Sequence, residues 1–276
     1  MPAVALLRRS AAAAYWRLAV AGFRRQWQYK LALFAGMFTN SVFGLLRGAV
    51  LLAAVGSAGS FGGYDAGSIG AYVWISQGLL GAVLFTETGV ELGERVRSGD
   101  IAVDFLRPVD LQLATLAGDL GRGACTLLPR GLPTVAVGAL VYGGLELPDT
   151  PVTYLLGLVS VLLGIAVSSL ALFVTALVGF WVVETRGLRT LHQVLGSFLA
   201  GLFVPVHLFP DWLRAIATAT PFPSVLQAPV DVLSGRVSGT AALGVVGVQL
   251  FWVLAVAALG QALLAAGRRK LEVQGG

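Results

Sequence analysis

Residues 153–183, TYLLGLVSVLLGIAVSSLALFVTALVGFWVV, run for 31 positions without one Asp, Glu, Lys or Arg. About 20 apolar residues carry a helix across the ~30 Å hydrocarbon core of a bilayer. This segment is long enough to span with a tilt or to project beyond the core. The rest of the chain has the same character. Its 276 residues are 57% hydrophobic and 12% charged, with a mean hydropathy of +0.82, against about 25% charged residues in a soluble domain. So few charges cannot cover a water-facing surface, and an all-α integral membrane protein is predicted.

Five further apolar segments reach or approach spanning length: 31–55, 68–86, 123–141, 191–206 and 240–266. The segment 191–206 is short and stops at Pro205. Six spans put both termini on one side, and the basic residues choose which. Arg8, Arg9, Arg17, Arg24, Arg25 and Lys30 precede the first span; Arg95, Arg97, Arg107 and Arg122 fall between the second and third; Arg186 and Arg189 between the fourth and fifth; Arg268, Arg269 and Lys270 after the sixth. That is 15 of the 19 basic residues on one face. The positive-inside bias therefore predicts cytoplasmic termini. The reading is one transmembrane domain over 1–276: an interfacial or cytoplasmic segment 1–30, six spans within 31–266 and a cytoplasmic tail 267–276. The net charge of +5 is accounted for by this topology, so no nucleic-acid partner is expected. A short apolar run followed by a small-residue cleavage site is missing at the start, so no signal peptide is expected.

Outside the spans three segments stand out. Within 11–30, Trp16, Val20, Phe23 and Trp27 share one helical face while Arg17, Arg24, Arg25 and Gln28 take another, a pattern suited to the headgroup region. It reads equally as a plain anchor or as a force-transmitting elbow. Residues 94–108 read ERVRSGDIAVDFLRP. Ser98-Gly99 breaks the chain, Asp100 can begin a helix, Ile101 and Phe105 are i, i+4 neighbours beside Asp104 and Leu106, and Pro108 ends the helix at Arg107. A helix of about two turns with an apolar ridge is predicted, suited either to a groove on a partner or to lying on the membrane as a connector. Residues 205–229 hold five of eleven prolines, Pro205, Pro210, Pro221, Pro223 and Pro229, with Trp212, Leu213 and Ile216 as an apolar ridge. Non-helical backbone cannot face lipid. This segment is expected outside the membrane or as a re-entrant hairpin, with Pro205, Pro210, Trp212, Pro221 and Phe222 as outer-gate candidates or parts of an ordinary interfacial loop.

Arg47 and Arg130 fall inside spans, where a charge costs at least a few kcal/mol unless paired or hydrated. They are candidates for a pathway, for an inter-subunit pair or for snorkelling. Arg130 sits between Pro129 and Pro133, where a kink could expose carbonyls to meet it. Glu87, at the end of the second span, is expected to be solvated.

Several chemistries have no residues to carry them. No G-x-x-x-x-G-K-[ST] occurs around Lys30 or Lys270, so this chain is expected to hydrolyse no ATP itself. Cys125 is the single cysteine, and His192 and His207 lie at opposite ends of the fifth span, so no metal site is expected. No nucleophile elbow, zinc-protease helix or intramembrane aspartate pair appears, and no catalytic residues are assigned.

The run Arg97-Ser98-Gly99-Asp100-Ile101 … Leu106-Arg107-Pro108 resembles the loop of bacterial type 2 ATP-binding-cassette (ABC-2) permeases, in the branch of drug-export and uncharacterised-substrate permeases, where it reads I-R-S-G-E-L-D…L-L-R-P. Conservative changes replace the Glu and Leu, and the resemblance extends over the whole chain. It implies an export permease whose loop after the second span is a cytoplasmic coupling helix for a separate ATPase. The role then falls on Ser98, Gly99, Asp100, Ile101, Asp104, Phe105, Leu106, Arg107 and Pro108, with Ile101, Phe105 and Leu106 as docking residues. It further implies ATP and Mg on a dimeric partner ATPase, no cofactor in this chain, and a second permease chain, identical or homologous, in a bacterial cytoplasmic membrane. The rivals are a non-transporting scaffold or assembly subunit, in which Arg47 and Arg130 would face neighbouring proteins, and a lipid-modifying enzyme.

Overall fold

A computed structural model describes residues 2–58, 60, 62–83, 85, 91–145, 147–182 and 184–274. Among them every regular element is helical, with no strand. Four helical stretches are long and apolar enough to cross a membrane: Lys30–Gly56, Leu111–Val141, Pro151–Phe180 and Gly239–Lys270. The protein is a multi-pass membrane protein.

The six-span expectation is met at these four places. The other two apolar segments form α3 (Ala66–Leu79) and α9 (Arg186–Leu199), of 14 residues each. At about 1.5 Å per residue each measures about 21 Å, short of the ~30 Å core. Hydropathy counts apolar residues and does not see where a helix stops. Helix α3 begins at the N-cap Asp65, whose carboxylate accepts from the Ser68 amide at 2.9 Å while the Ser68 hydroxyl completes a capping box. It ends at Leu80, and Gly81–Val83 turn away.

The N-terminal segment is one helix, α1 (Pro2–Gln28), broken from α2 (Lys30–Ala58) at Tyr29. Instead of lying free on the surface, α1 packs along α6 (Leu111–Thr126). The buried face is neither the tryptophan nor the arginine stripe. Ala19 and Gly22 meet Gly118 and Gly121, where a Cβ on Gly22 would strike the Gly118 carbonyl and one on Gly121 the Ala19 carbonyl. The Asp110 amide donates to the Tyr15 hydroxyl at 3.1 Å. Trp16 is left 70% exposed. Close backbone approach at small residues is how helices associate where lipid supplies no hydrophobic drive.

The third span starts twelve residues earlier than hydropathy places it, at Leu111 rather than 123. Asp110 caps it, accepting from the Leu113 amide at 2.9 Å. This puts Arg122 in the helix interior, 8% exposed, not in a cytoplasmic loop. The span passes through a π-helical turn, Leu127–Gly131, into α7 (Leu132–Val141). Pro129 and Pro133 each remove a helix donor there.

Helix α8 (Pro151–Leu177) is the centre of the molecule; α6, α11 (Gln227–Leu233) and α12 (Gly239–Gln274) pack on it. Gln249 of α12, fully buried, donates to the Ser160 and Ser224 carbonyls at 3.0 and 2.8 Å, and the Ser160 hydroxyl donates back to Gln249 Oε1 at 2.7 Å. Trp74 of α3, also fully buried, is seated between Gly44 of α2 and Gly138 of α7. Helix α12 has 36 residues, about 54 Å at the usual rise. The predicted tail is therefore helical through Gln274.

Candidate functional site

Residues 91–108 fold as α4 (Glu91–Ser98), a turn at Gly99 and α5 (Ile101–Asp104). Gly99 has φ +84, a left-handed conformation glycine adopts without steric cost. Helix α5 is a single turn of four residues rather than two. Asp100 does not cap it: its backbone is already helical, and its carboxylate instead accepts from the Ser98 hydroxyl at 2.7 Å. On the exposed arm of α4, hydrogen bonding to Glu94 raises the pKa of Arg97.

The ridge expected to face a partner is divided between two faces. Ile101 is fully buried, packed with Val96 against Phe173, Leu177, Phe180 and Leu264 at the ends of α8 and α12. Asp104 is 3% exposed and bridges two arginines, Arg95 at 2.5 Å and Arg107 at 3.3 Å. Phe105 is half-buried, with the Arg268 guanidinium of α12 4.3 Å above its ring. Outward stand Val103 and Leu106, 56% and 85% exposed, with Pro108 beyond them. Ile101 and Phe105 thus tie this α4–α5 segment, hereafter the elbow, to its own chain, and Val103, absent from the sequence reading of docking residues, joins Leu106 on the free face.

At the other end of the molecule Arg47 is fully engaged within the chain. Its Nε donates to the Phe203 carbonyl at 3.0 Å, Nη1 to the Ser76 hydroxyl at 2.9 Å and Nη2 to the Gly201 carbonyl at 3.3 Å. Gly201 turns the chain with φ +86. A larger residue is barred there by the Tyr72 hydroxyl and by Gln227. Tyr72 donates to the Gly201 carbonyl at 2.6 Å and lies 2.8 Å from Gln227 Oε1. That same oxygen accepts from the Val206 amide at 2.9 Å, and Gln227 Nε2 donates to Asp231 at 2.8 Å. Asp231 also meets His207 Nε2 at 2.8 Å. Arg236 covers the Tyr64 ring at 4.0 Å and donates to the Gly63 and Gly62 carbonyls. Burial, reinforced by the Asp231 carboxylate, raises the Tyr64 phenol pKa. Next to it, two hydrogen bonds from Ser68 lower the Asp65 pKa.

This network holds the proline-rich segment in place. After α9 the chain runs through buried Pro205, a 3-10 turn at Val206–Leu208, α10 (Asp211–Thr218) and a second 3-10 turn at Phe222–Ser224. Pro210 is exposed, Pro221 half-buried, and Phe222 packs edge-on against His192 at 5.5 Å between centroids. The apolar ridge of α10 is split: Leu213 turns inward, while Trp212 and Ile216 are 65% and 50% exposed.

Arg130 is met by a side chain rather than by kinked carbonyls. It donates through Nη2 to Asn40 Oδ1 at 2.9 Å, and Asn40 in turn donates to the Gln77 carbonyl at 2.7 Å. Its side chain is sandwiched between Gly36 and Gly81. Arg47 stands on α2 and Arg130 packs against it, and the two have separate partners. Glu87 lies outside the described residues.

Sequence reading missed the polar residues that complete these networks: Asn40, Ser76, Gln227 and Asp231, together with Asp119, Arg122 and Ser169 further in. A polar residue within an apolar run was the available signal for Asn40, Ser169 and Asp119. Comparison with curated proteins and with solved structures returns no match. The family model described as "ABC-2 family transporter protein" matches residues 43–275, a stretch that takes in the elbow, both intramembrane arginines and the proline-rich segment, and the chain belongs to that family.

Proposed function

We propose that this chain is the permease subunit of an ATP-driven exporter, energised by a separate ATPase that binds ATP and Mg. The observation that carries the reading is the two-faced elbow. Val103 and Leu106 stand free on one side, while Ile101, Asp104 and Phe105 fix the other to α8 and α12. An exposed apolar pair on a one-turn support is suited to a pocket on a partner, and the support is suited to passing a push inward.

On this reading the chain forms one membrane domain that crosses six times, with both termini in the cytoplasm of a bacterial cell. Helices α3 and α9 complete their crossings with irregular backbone buried among neighbours, as non-helical segments at membrane depth must be. Two ATPase chains and a second permease chain, identical or homologous, make the working unit. Closure of the ATPases moves α5. The displacement passes to α8 and α12, and α8 carries it to α11, whose Gln227 and Asp231 hold the outer segment 205–229. A hydrophobic or amphiphilic substrate leaves past that segment. The scaffold alternative is disfavoured because each of the three side-chain nitrogens of Arg47 donates to an acceptor inside the chain, and Arg130 is held by Asn40 of the same chain.

The test is co-purification of the ATPase with Val103→Asp and Leu106→Asp variants. Both positions are solvent-facing, so the permease is expected to fold while ATPase recovery and transport fall together. Normal recovery with normal transport would remove the docking assignment.

A further inference from the structure

A cavity of about 520 Å³ opens between α1, α4, α6 and α8, and none of the roles above uses it. Its lining is of two kinds. Leu111, Leu172 and Phe173 give an apolar side; Arg25, Arg95 and Arg122 give a basic one, with a single acid, Asp119, among them. Pockets that take drug-sized ligands measure about 300–1,000 Å³ and pair apolar walls with a few placed polar groups.

Arg122 is the informative residue. It is 8% exposed, and its terminal nitrogens donate to the Gly81 and Ala82 carbonyls at 3.0 and 2.7 Å. Its Nε has no hydrogen-bond acceptor and stands 3.8 Å from Asp119 Oδ1, outside hydrogen-bond range. Asp119 is itself occupied, accepting from the Ser169 hydroxyl at 2.6 Å. Arg95, fixed by Asp104, holds a second guanidinium at the same wall. That Nε is itself out of reach of solvent, so the wall acts through charge: three guanidinium side chains against one carboxylate favour an anionic group in the cavity.

We propose that this cavity binds an amphiphile with an anionic head, the head against Arg25 and Arg122 and the apolar part along Leu172 and Phe173. The proposed topology places the site at the inner leaflet, next to the α1–α2 junction, and the inference rests on that reading for its leaflet only. Gly118 lines the cavity, and a Cβ there would meet nothing within 4 Å, so a large side chain at this position enters the open volume.

The purified chain in neutral detergent is titrated with phosphatidylglycerol, with phosphatidylcholine and with inorganic phosphate, and bound lipid is counted by native mass spectrometry. Phosphatidylglycerol is expected to bind about tenfold more tightly than phosphatidylcholine, and Gly118→Phe and Arg25→Gln each to abolish about that preference. If Gly118→Phe loses its melting transition, Arg25→Gln decides alone. Equal affinity for the two lipids, or wild-type preference in the folded variants, overturns the site. Displacement of phosphatidylglycerol by millimolar phosphate overturns the amphiphile and leaves only a free anion. Because the readout is binding, a negative result leaves the ATPase docking reading intact, and a failure of docking leaves this site standing.

Discussion

Arg47 donates through Nε to the Phe203 carbonyl at 3.0 Å, across 156 positions of sequence. One guanidinium on α2 therefore fixes the turn that follows α9, with its remaining donors on Ser76 and Gly201. Arg47→Met leaves these acceptors without donors and is expected to cost about 2–4 kcal/mol, read as a lower unfolding temperature in detergent. Arg47→Lys keeps the charge but not the planar fork, so it should recover less than half of the loss.

The Asn40–Arg130 pair makes a different prediction. Removing one partner of a buried charged contact is worse than removing both. Asn40→Leu strands the Arg130 guanidinium and is expected to destabilise the protein by about 2–3 kcal/mol. Adding Arg130→Met to that variant should restore part of the stability, giving a positive coupling of about 1 kcal/mol or more in a double-mutant cycle.

Two glycines three positions apart, Gly118 and Gly121, should behave oppositely. At Gly121 a Cβ collides with the Ala19 carbonyl of α1, whereas at Gly118 it meets nothing within 4 Å. Gly121→Ala is expected to cost about 1–3 kcal/mol through overpacking. Gly118→Ala should be neutral or gain a few tenths from helix propensity. Protease nicking within α1 checks the cause: it should speed up in the first variant alone.

Tyr64 sets an alkaline limit. Burial raises its pKa above the ordinary value of 10.0, so the folded state holds the phenol neutral where the unfolded chain would ionise it. The stabilisation is full below pH 10 and is lost as pH rises further toward the folded value. Thermal unfolding between pH 9 and 11 should show the wild type losing stability more steeply than Tyr64→Phe.

Membrane class and the four long helices were legible from the sequence because length and apolarity are local properties. The uncharged run 153–183 is nearly the observed span Pro151–Phe180. Where two helices meet was not legible. Amphipathicity singled out the Trp16 and Arg17 stripes of α1, yet the packed stripe is Ala19 and Gly22, whose small size matters only opposite Gly118 and Gly121. Between α3 and α6 the break at Gly99 is legible from Ser98-Gly99, whereas the helix after it is one turn rather than two and its inward and outward faces follow from no local pattern. Ile101 and Leu106 have similar hydropathy, and their burial is set by Phe173 and Leu264, more than 70 positions away. Arg122 was assigned to a loop because a charge beside an apolar run looks like its boundary. In the structure its terminal nitrogens are hydrogen-bonded to the Gly81 and Ala82 carbonyls just after α3, which no local pattern announces.

Export on this reading requires a push at the elbow to reach the outer segment, and one measurement tests that directly. Phe203 is 56% exposed beside the carbonyl that Arg47 holds, and the chain's single native cysteine, Cys125, is buried. A Phe203→Cys permease reconstituted with its ATPase is exposed to a membrane-impermeant maleimide, with and without ATP and Mg. The labelling rate is predicted to change several-fold with ATP, and the change to vanish when Leu106→Asp is added. An unchanged rate with ATP, or an ATP response that survives Leu106→Asp at full size, would contradict the coupling.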